Sequence, residues 1–275
     1  MDIRLIAMDL DGTALQPDRK TFSPRLCAAL DAAHAKGVAV VPITGRQFFI
    51  LPPAVHKDVK WAGLVVLSNG VEVRRLTDGS VLSGHYLQAE SLLPLVEEAG
   101  KLGVPLELSA GEGLYLTRAD WEYQRQIDGP LHFHLVEVLD RFGHEVEDMN
   151  AFCRSAPAID KVNLPYIPDE AREAAERMLN SLPLSWFWSG PRSVEVGHPD
   201  ASKAAGLLEV CRLLDVSPAQ AMALGDSGND IPMLQCAGLG VAMGNAPAEV
   251  KEAAGAVSAP CDQDGAALAV ERYVL

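Results

Sequence analysis

Short apolar runs alternate with amphipathic segments over much of the chain. Each run ends in a turn that contains Gly or polar residues, which predicts a buried strand. The expected strands are residues 3–8, 38–43, 64–67, 221–224 and 239–243. Apolar residues at helical spacing predict helices over 24–36 and 202–214, each with a serine suited to its N-terminal cap. Strand, helix and strand in this order predict βαβ units with parallel strands, and therefore an α/β fold.

The pattern changes between residues 84 and 190. Amphipathic helical segments there alternate with short strands, and most of the Trp and Tyr residues fall in this stretch. We expect an α+β insertion here instead of further βα repeats. The predicted core domain comprises residues 1–83 and 191–275, and the inserted domain comprises residues 84–190. A strand at 193–196 is expected to belong to the core.

Composition and net charge exclude some classes of binding partner. The 275 residues carry a formal net charge of −14, and a field of this sign attracts neither nucleic acid nor anionic membranes. Any site for an anion must therefore be built from local groups. The five cysteines are scattered and form no CxxC pair, which is typical of reduced cytoplasmic thiols and of neither a disulfide framework nor a zinc site. We expect a cytoplasmic protein without a signal peptide or membrane span, and nothing in the sequence predicts its oligomeric state.

Two carboxylates, Asp9 and Asp11, follow the first apolar run. Open parallel sheets bind ligands at the carboxyl ends of their strands, which is where this pair is expected. Two like charges so close together are unfavourable unless a cation, a proton or a phosphoryl group lies between them. We interpret Asp9 as a nucleophile and Asp11 as a general acid/base.

Three further clusters stand at the ends of strands or at the start of a helix. They are Thr44-Gly45-Arg46, Lys203, and Asp226 with Asn229 and Asp230. Taken singly, each is more commonly a solvated loop, a helix cap or an exposed lysine. Their joint occurrence in this order instead indicates one site. Its carboxylates, without His or Cys, suit Mg²⁺, which would neutralise Asp9 and Asp226 together with an incoming phosphate. Thr44, backbone N–H groups near Gly45, Lys203 and Asn229 are the candidates for binding phosphate.

The four motifs of the haloacid dehalogenase (HAD) superfamily are matched in order and spacing by Asp9-Leu10-Asp11-Gly12-Thr13, Ile43-Thr44-Gly45-Arg46, Lys203 and Gly225-Asp226-Ser227-Gly228-Asn229-Asp230. The second Asp of the first motif resembles the phosphatases and phosphomutases, and the last motif and long insertion resemble the Cof-type subfamily with a C2 cap. This resemblance implies a doubly wound, Rossmann-like core, a cap that selects the substrate, and phosphomonoester hydrolysis with Mg²⁺. It also implies that the Asp9 side chain, the Asp11 carbonyl and Asp226 bind the metal, with Asp230 close by or linked through water. One departure from the family is His198-Pro199-Asp200, where small or apolar residues are more usual.

Several residues are candidates for contact with a substrate. In the core they are Arg46, Asn69 and Gly70, the last two matching an Asn-Gly beside the site in the subfamily that the chain resembles. In the insertion the polar and aromatic candidates are Tyr115, Trp121, Tyr123, His132, His134, Lys161, Asn163, Trp186 and Trp188. Each aromatic residue taken singly is expected in the core of the insertion. Lys161 and Asn163 are the two that we predict to contact substrate.

These observations favour a Mg²⁺-dependent phosphatase of small phosphorylated metabolites, sugar phosphates in particular, that acts through an aspartyl-phosphate. One alternative is a phosphohexomutase that uses the same residues. A second alternative, from another class, is a non-catalytic protein that binds phosphate in the manner of receiver domains, which also cluster Asp residues on a doubly wound sheet. The large insertion and the second carboxylate, Asp11, argue against this second alternative.

Overall fold

The structure is a computed structural model that describes residues 2–57, 59–127, 134–156 and 158–275. The chain divides into two compact units. Unit 1 comprises Met1–Arg46, Leu51–Gly84 and Ser202–Leu275, and unit 2 comprises Gln47–Ile50 and His85–Ala201. Unit 2 is thus mainly one long insertion into the sequence of unit 1.

The strands and helices are numbered here in chain order. The strands are β1 (Leu5–Met8), β2 (Ala39–Pro42), β3 (Leu64–Leu67), β4 (Glu72–Arg75), β5 (Val81–Gly84), β6 (Glu107–Ala110), β7 (Gly113–Thr117), β8 (Gly143–Val146), β9 (Lys161–Leu164), β10 (Ser185–Trp188), β11 (Val194–Gly197), β12 (Ala221–Gly225), β13 (Leu239–Ala242) and β14 (Ala256–Val257). The α-helices are α1 (Pro24–Ala35), α2 (Pro53–His56), α3 (Ala89–Leu102), α4 (Arg118–Gln126), α5 (Asp140–Phe142), α6 (Met149–Ser155), α7 (Arg172–Ser181), α8 (Lys203–Leu214), α9 (Ile231–Cys236), α10 (Ala248–Ala253) and α11 (Gly265–Tyr273).

Unit 1 is built on a parallel sheet of five strands in the order β14-β13-β12-β1-β2. Strand β1 lies between β12 and β2, with Met8 opposite Leu224 on one side and Pro42 on the other. Its four residues are all buried, as expected for a strand covered on both faces. The third predicted strand, β3, forms an antiparallel sheet with β4 and β5 and meets the parallel sheet through isolated bridges such as Ile43–Val66.

The α/β class and the doubly wound core are confirmed by this arrangement. Helix α1 begins where the sequence predicts, because the Ser23 hydroxyl accepts a hydrogen bond from the backbone N–H of Leu26 and Pro24 occupies the first turn. Helix α8 begins in the same way, with the Ser202 hydroxyl accepting from the backbone N–H of Ala205. This cap places Lys203 in the first turn of α8.

Unit 2 contains a mixed sheet of six strands in the order β10-β11-β9-β6-β7-β8. One face of this sheet packs on α3, α6 and α7 through an apolar core that includes Leu92, Leu95, Cys153, Val162 and Leu179. The two strands β6 and β9 alternate between this apolar face and a face that carries Glu107, Lys161 and Asn163. Such alternation is typical of a sheet whose two faces meet different surroundings.

One strand lies in a different unit from the one that the sequence predicts. Strand β11, expected at 193–196 in the core, pairs antiparallel with β9 and β10 inside unit 2. The predicted boundary after residue 190 is therefore too early, and unit 2 extends to Ala201. The signal was present in Val194-Glu195-Val196, because alternation of apolar and polar residues is typical of a half-covered antiparallel strand, whereas core strands are apolar throughout. Strands β8 and β14 were not predicted, since one is polar on both faces and the other has only two residues.

All five cysteines are free, as the scattered pattern predicts. Among the described residues, no helix is both long enough and apolar enough to cross a bilayer.

The close packing of α8 on β3 can be tested at Gly206. A Cβ atom at this position would lie 2.4 Å from Cγ1 of Val66, a side chain whose β-branching leaves it little freedom to move. We expect Gly206→Ala to lower the free energy of unfolding by roughly 1–2 kcal/mol, because overpacking outweighs the gain in helix propensity. Urea unfolding followed by circular dichroism measures this difference.

Gly100→Ala is the matched control. Gly100 lies inside α3, and a Cβ atom there would meet nothing within 4 Å. The free energy of unfolding of this variant should be about 0.5–1 kcal/mol higher than that of the wild type, because alanine has the higher helix propensity. Equal effects of the two substitutions would contradict close packing at Gly206.

Candidate active site

The parallel pairing of β1 with β12 brings the first and last motifs together in unit 1. Asp9 directly follows β1 and Asp226 directly follows β12, and the backbone N–H of Asp9 donates to the Leu224 carbonyl at 3.0 Å. Both carboxylates therefore lie at the same edge of the sheet. This convergence is what the sequence predicts from the position of each residue after a strand.

Lys203 joins two of the carboxylates. Its Nζ atom lies 2.7 Å from Oδ1 of Asp9 and 2.7 Å from Oδ1 of Asp230, and its side chain is only 2% exposed. The other oxygen of Asp230 accepts hydrogen bonds from the backbone N–H groups of Asp226 and Ser227, both at 3.0 Å. Asp230 thus has protein donors on both oxygens, which favours a role in positioning Lys203 and the loop after β12.

The site holds more negative than positive charge. Oxygen atoms of Asp9, Asp226 and Asp230 lie within 4.8 Å of one another. Burial lowers the pKa of Lys203, but attraction to Asp9 and Asp230 outweighs this and raises it, so the lysine is charged. Burial raises the pKa of Asp9 to about 8, although Lys203 opposes the shift, and burial together with Asp230 raises the pKa of Asp226 to about 6.

A divalent cation fits this arrangement. One ammonium group cannot neutralise three carboxylates, so a further positive charge would relieve the repulsion among them. The candidate ligands are all oxygen atoms, which is the donor set that Mg²⁺ and Ca²⁺ prefer over softer metals. The acidic cluster of this chain therefore has the donors to bind a divalent metal.

Two residues that the sequence analysis did not assign hold Asp226 in place. The Thr13 hydroxyl donates to Oδ1 of Asp226 at 3.0 Å. The Asn245 amide donates to Oδ2 of Asp226 at 3.2 Å and to the Gly12 carbonyl at 2.9 Å. Gly12 has a φ of +75°, and a Cβ atom there would lie 2.3 Å from Oδ2 of Asp226, so only glycine fits. Asn245 shortly follows β13, a strand neighbouring β12, and that position was the signal that could have identified it.

Asp11 is paired with the side chain of Arg46, whereas Asp9 is paired with that of Lys203. The guanidinium of Arg46 donates two hydrogen bonds to the Asp11 carboxylate, from Nε to Oδ2 and from an Nη atom to Oδ1, both at 2.7 Å. The same Nη atom donates to the Arg19 carbonyl at 3.0 Å. Such a paired contact fixes the plane of the carboxylate. Arg46, predicted as a residue that contacts substrate, is therefore placed to orient the predicted acid/base.

The remaining predicted residues meet at the turns after β2, β3 and β12. The backbone N–H of Asn69 donates to the Thr44 carbonyl at 2.9 Å, and a Cβ atom on Gly45 would lie 3.0 Å from Oδ1 of Asn69. The Asn229 amide donates to this same Oδ1 at 3.0 Å. The turn that carries Asn69 and Gly70 is left-handed, with φ values of +58° and +98°. Hydrogen bonds through Asn69 thus link the turns that follow β2, β3 and β12.

In unit 2, Asn163 and His134 meet at a buried carboxylate. Glu107 is fully buried on β6, and Nε2 of His134 lies 2.9 Å from its Oε1, while the Asn163 amide donates to its Oε2 at 3.2 Å. Burial raises the pKa of Glu107, but His134 and Asn163 outweigh this effect and lower it. For His134 the two effects have the opposite signs. Burial lowers its pKa, but Glu107 outweighs this effect, and the pKa is raised. Each of the two residues therefore favours the charged form of the other on the polar face of the sheet.

The second predicted contact residue of unit 2, Lys161, lies next to this pair. Its Nζ atom is 3.0 Å from Oε2 of Glu195, which lies beside Asn163 across the β11–β9 pairing. The side-chain amide of Gln124 is also buried.

The aromatic candidates of unit 2 lie mostly in its packed core, as expected. Tyr115 stacks on Phe152 at a centroid distance of 4.3 Å, and Trp121 packs against the apolar cluster around Leu139. Trp186 and Trp188 pack against the core of the sheet, with their indole N–H groups donating to Asn180 and Glu176. Tyr123 lies on α4. His132 is outside the described residues.

Comparison with known proteins gives one consistent family. The profile of the haloacid dehalogenase-like hydrolases matches residues 6–270. A phosphoglycolate phosphatase of Methanoculleus marisnigri is 38% identical over 274 residues, which cover 98% of this chain and 97% of that protein. A 5-amino-6-(5-phospho-D-ribitylamino)uracil phosphatase of Bacillus subtilis is 29% identical over 279 residues, which cover 100% of this chain and 97% of that protein.

Among solved structures, the HAD-superfamily phosphatase BT1666 of Bacteroides thetaiotaomicron matches with a TM-score of 0.81 and 28% identity, over 98% of this chain and 94% of that one. The match extends over both units, so the inserted unit is part of the likeness. The chain belongs to the haloacid dehalogenase-like hydrolases, and it is a phosphatase of their Cof-type subfamily.

Proposed function

We propose that this phosphatase hydrolyses sugar phosphates with the help of Mg²⁺ and through an aspartyl-phosphate on Asp9. The observation that carries the proposal is the position of Asp9 at the end of β1, 2.7 Å from the buried Lys203 and within 4.8 Å of two further carboxylates. A carboxylate in these surroundings can act as a nucleophile once positive charge is present beside it.

The proposed reaction has two half-reactions. In the first, an oxygen of Asp9 forms a bond to phosphorus, the bond from phosphorus to the ester oxygen breaks, and protonated Asp11 gives its proton to the leaving alcohol. In the second, Asp11 takes a proton from water, the water oxygen bonds to phosphorus, and the bond to Asp9 breaks, which releases phosphate. The pair of hydrogen bonds from Arg46 orients the Asp11 carboxylate that takes the proton from water in the second half-reaction.

Mg²⁺ would be held by the Asp9 side chain, the Asp11 carbonyl and Asp226, with Asp230 linked through water, and it would neutralise the carboxylates and the phosphate together. Thr13 and Asn245 support this role by fixing the Asp226 carboxylate. Second-sphere hydrogen bonds of this kind orient metal ligands.

The transferring phosphoryl group would be held by Lys203, the Thr44 hydroxyl, the Gly45 backbone N–H and Asn229. These donors place positive charge and N–H dipoles where negative charge develops in the transition state. The hydrogen bonds that join Thr44, Asn69 and Asn229 support the proposal, because a preorganised site need not reorder its dipoles during the reaction.

Substrate selection is assigned to unit 2, with Lys161 and Asn163 as the proposed contacts and Arg46, Asn69 and Gly70 as further candidates in unit 1. The polar face of unit 2 carries donors and acceptors in equal measure, since it pairs Glu107 with His134 and Glu195 with Lys161. Such a surface suits the hydroxyl groups of a sugar, each of which both donates and accepts.

Asp9→Asn tests the nucleophile. We expect kcat for p-nitrophenyl phosphate with Mg²⁺ to fall by about 10⁴-fold or more, because an amide oxygen is a poor nucleophile toward phosphorus. The far-ultraviolet circular dichroism spectrum should be unchanged. Asp31→Asn, an exposed change on α1, should keep the wild-type rate.

The products that the wild-type protein forms distinguish hydrolysis from isomerisation. With a hexose 1-phosphate as substrate, the wild-type protein should release free phosphate. Formation of a hexose 6-phosphate would instead favour the phosphohexomutase. Substantial turnover by Asp9→Asn would rule out the proposed nucleophile.

Asp11→Asn tests proton transfer. The substitution keeps the backbone carbonyl but removes the titrating group, so kcat should fall by about 10²–10⁴-fold. Rapid-quench measurements should show that both formation and breakdown of the phosphorylated protein are slowed. Asp18→Asn, in the exposed loop after β1, is the control. Full activity of Asp11→Asn would exclude the acid/base role.

The response to Mg²⁺ should depend on pH. A carboxyl group whose pKa is raised on folding contributes stability that is lost as the pH rises from its unfolded value, about 4, through the folded value. Because burial raises the pKa of Asp9 to about 8 and that of Asp226 to about 6, the metal-free protein should lose stability over this range. Bound Mg²⁺ replaces the protons, so its stabilising effect should grow with pH.

Thermal unfolding with and without Mg²⁺ checks this expectation. The increase in Tm on adding Mg²⁺ should be larger at about pH 8 than at about pH 5.5. Asp226→Asn should lose most of the increase and Asp31→Asn should keep it. An equal increase at both pH values would show that the metal does not bind at these carboxylates.

A further inference from the structure

A second group of metal-binding side chains lies in unit 2, apart from the acidic cluster of unit 1. It consists of His85, His198 and Asp200, whose potential ligand atoms all lie within 4.8 Å of one another. The centroids of the two imidazole rings are 5.5 Å apart. His198-Pro199-Asp200 is the segment in which the sequence departs from the pattern of the superfamily, and the phosphatase reaction proposed above makes no use of it.

The backbone presents these three side chains from short, well-defined segments. His85 directly follows β5, and His198 directly follows β11. The turn after His198 is closed by hydrogen bonds from the backbone N–H of Ala201 to the His198 carbonyl, at 3.0 Å, and from the backbone N–H of Asp200 to Nδ1 of His198, at 3.2 Å. The carboxylate of Asp200 is thereby turned back to within 3.8 Å of Nδ1 of His198.

We propose that His85, His198 and Asp200 form a binding site for a transition-metal dication of the Zn²⁺ type. Two imidazole nitrogens and one carboxylate oxygen are a donor set that Zn²⁺ accepts readily, whereas Mg²⁺ and Ca²⁺ prefer oxygen alone. Three protein ligands leave a fourth tetrahedral position for water or another small ligand. Binding through Nδ1 of His198 would replace one exposed hydrogen bond, which is a small loss.

The site has a structural consequence that follows from its place in the chain. His85 stands where the chain enters unit 2, and Asp200 stands where it leaves, next to Ala201. A bound ion would therefore cross-link the first and last segments of the insertion. It would act as a metal clip on a long loop, in addition to the strand pairing that already holds β11 in the sheet.

Isothermal titration of the metal-free, full-length protein with Zn²⁺ tests the proposal. The wild-type protein should bind one equivalent that is lost in both His85→Ala and His198→Ala, and retained in the control His34→Ala, which removes an exposed imidazole of α1. Zn²⁺ should raise the Tm of the wild type and of His34→Ala, and this increase should be lost in the two variants of the site. Circular dichroism spectra establish that each variant is folded.

Asp226→Asn separates this site from the proposed metal site of unit 1. The variant should keep the equivalent that depends on His85 and His198, whatever the outcome for phosphatase activity. Loss of that equivalent in Asp226→Asn, or its retention in either histidine variant, would overturn the proposal. So would the absence of Zn²⁺ binding to the wild-type protein.

Discussion

The contact of Lys203 with Asp9 and Asp230 is the interaction on which the site of unit 1 depends. An ammonium group that is only 2% exposed is costly to bury, and two carboxylates at 2.7 Å compensate for this cost. The same two contacts fix the positions of groups from three distant segments of the chain. Because one lysine cannot balance Asp9, Asp226 and Asp230 together, the arrangement is completed only by a further cation or by protons.

The convergence of this site could be predicted because it follows from one property of parallel sheets. Residues that directly follow neighbouring strands meet at one edge, so Asp9 and Asp226 could be placed together from their positions after β1 and β12. The apolar runs that form these strands are buried on both faces and give a strong signal in the sequence. The fold and the principal carboxylates therefore required no knowledge of side-chain geometry.

What could not be predicted depends on side-chain direction and on the choice of sheet. The contact of Arg46 with Asp11 and that of Asn245 with Asp226 link loops whose relative orientation no periodicity encodes. The membership of β11 in the sheet of unit 2 is a different case, because the alternation in Val194-Glu195-Val196 indicated a half-covered strand but did not identify its partners. The contact of Glu107 with His134 was not predicted either, because the two residues are 27 positions apart in the sequence and no periodicity relates them.

The order of strands in the central sheet has a consequence for synthesis of the chain on the ribosome. Strand β1 is made first, but its neighbour β12 is made only after the whole of unit 2 has emerged. Until then one edge of β1 exposes unpaired backbone groups beside some of the most apolar residues of the protein, and such edges promote association between chains. The insertion that provides unit 2 therefore lengthens the interval in which the nascent chain depends on chaperones or on rapid closure of the sheet.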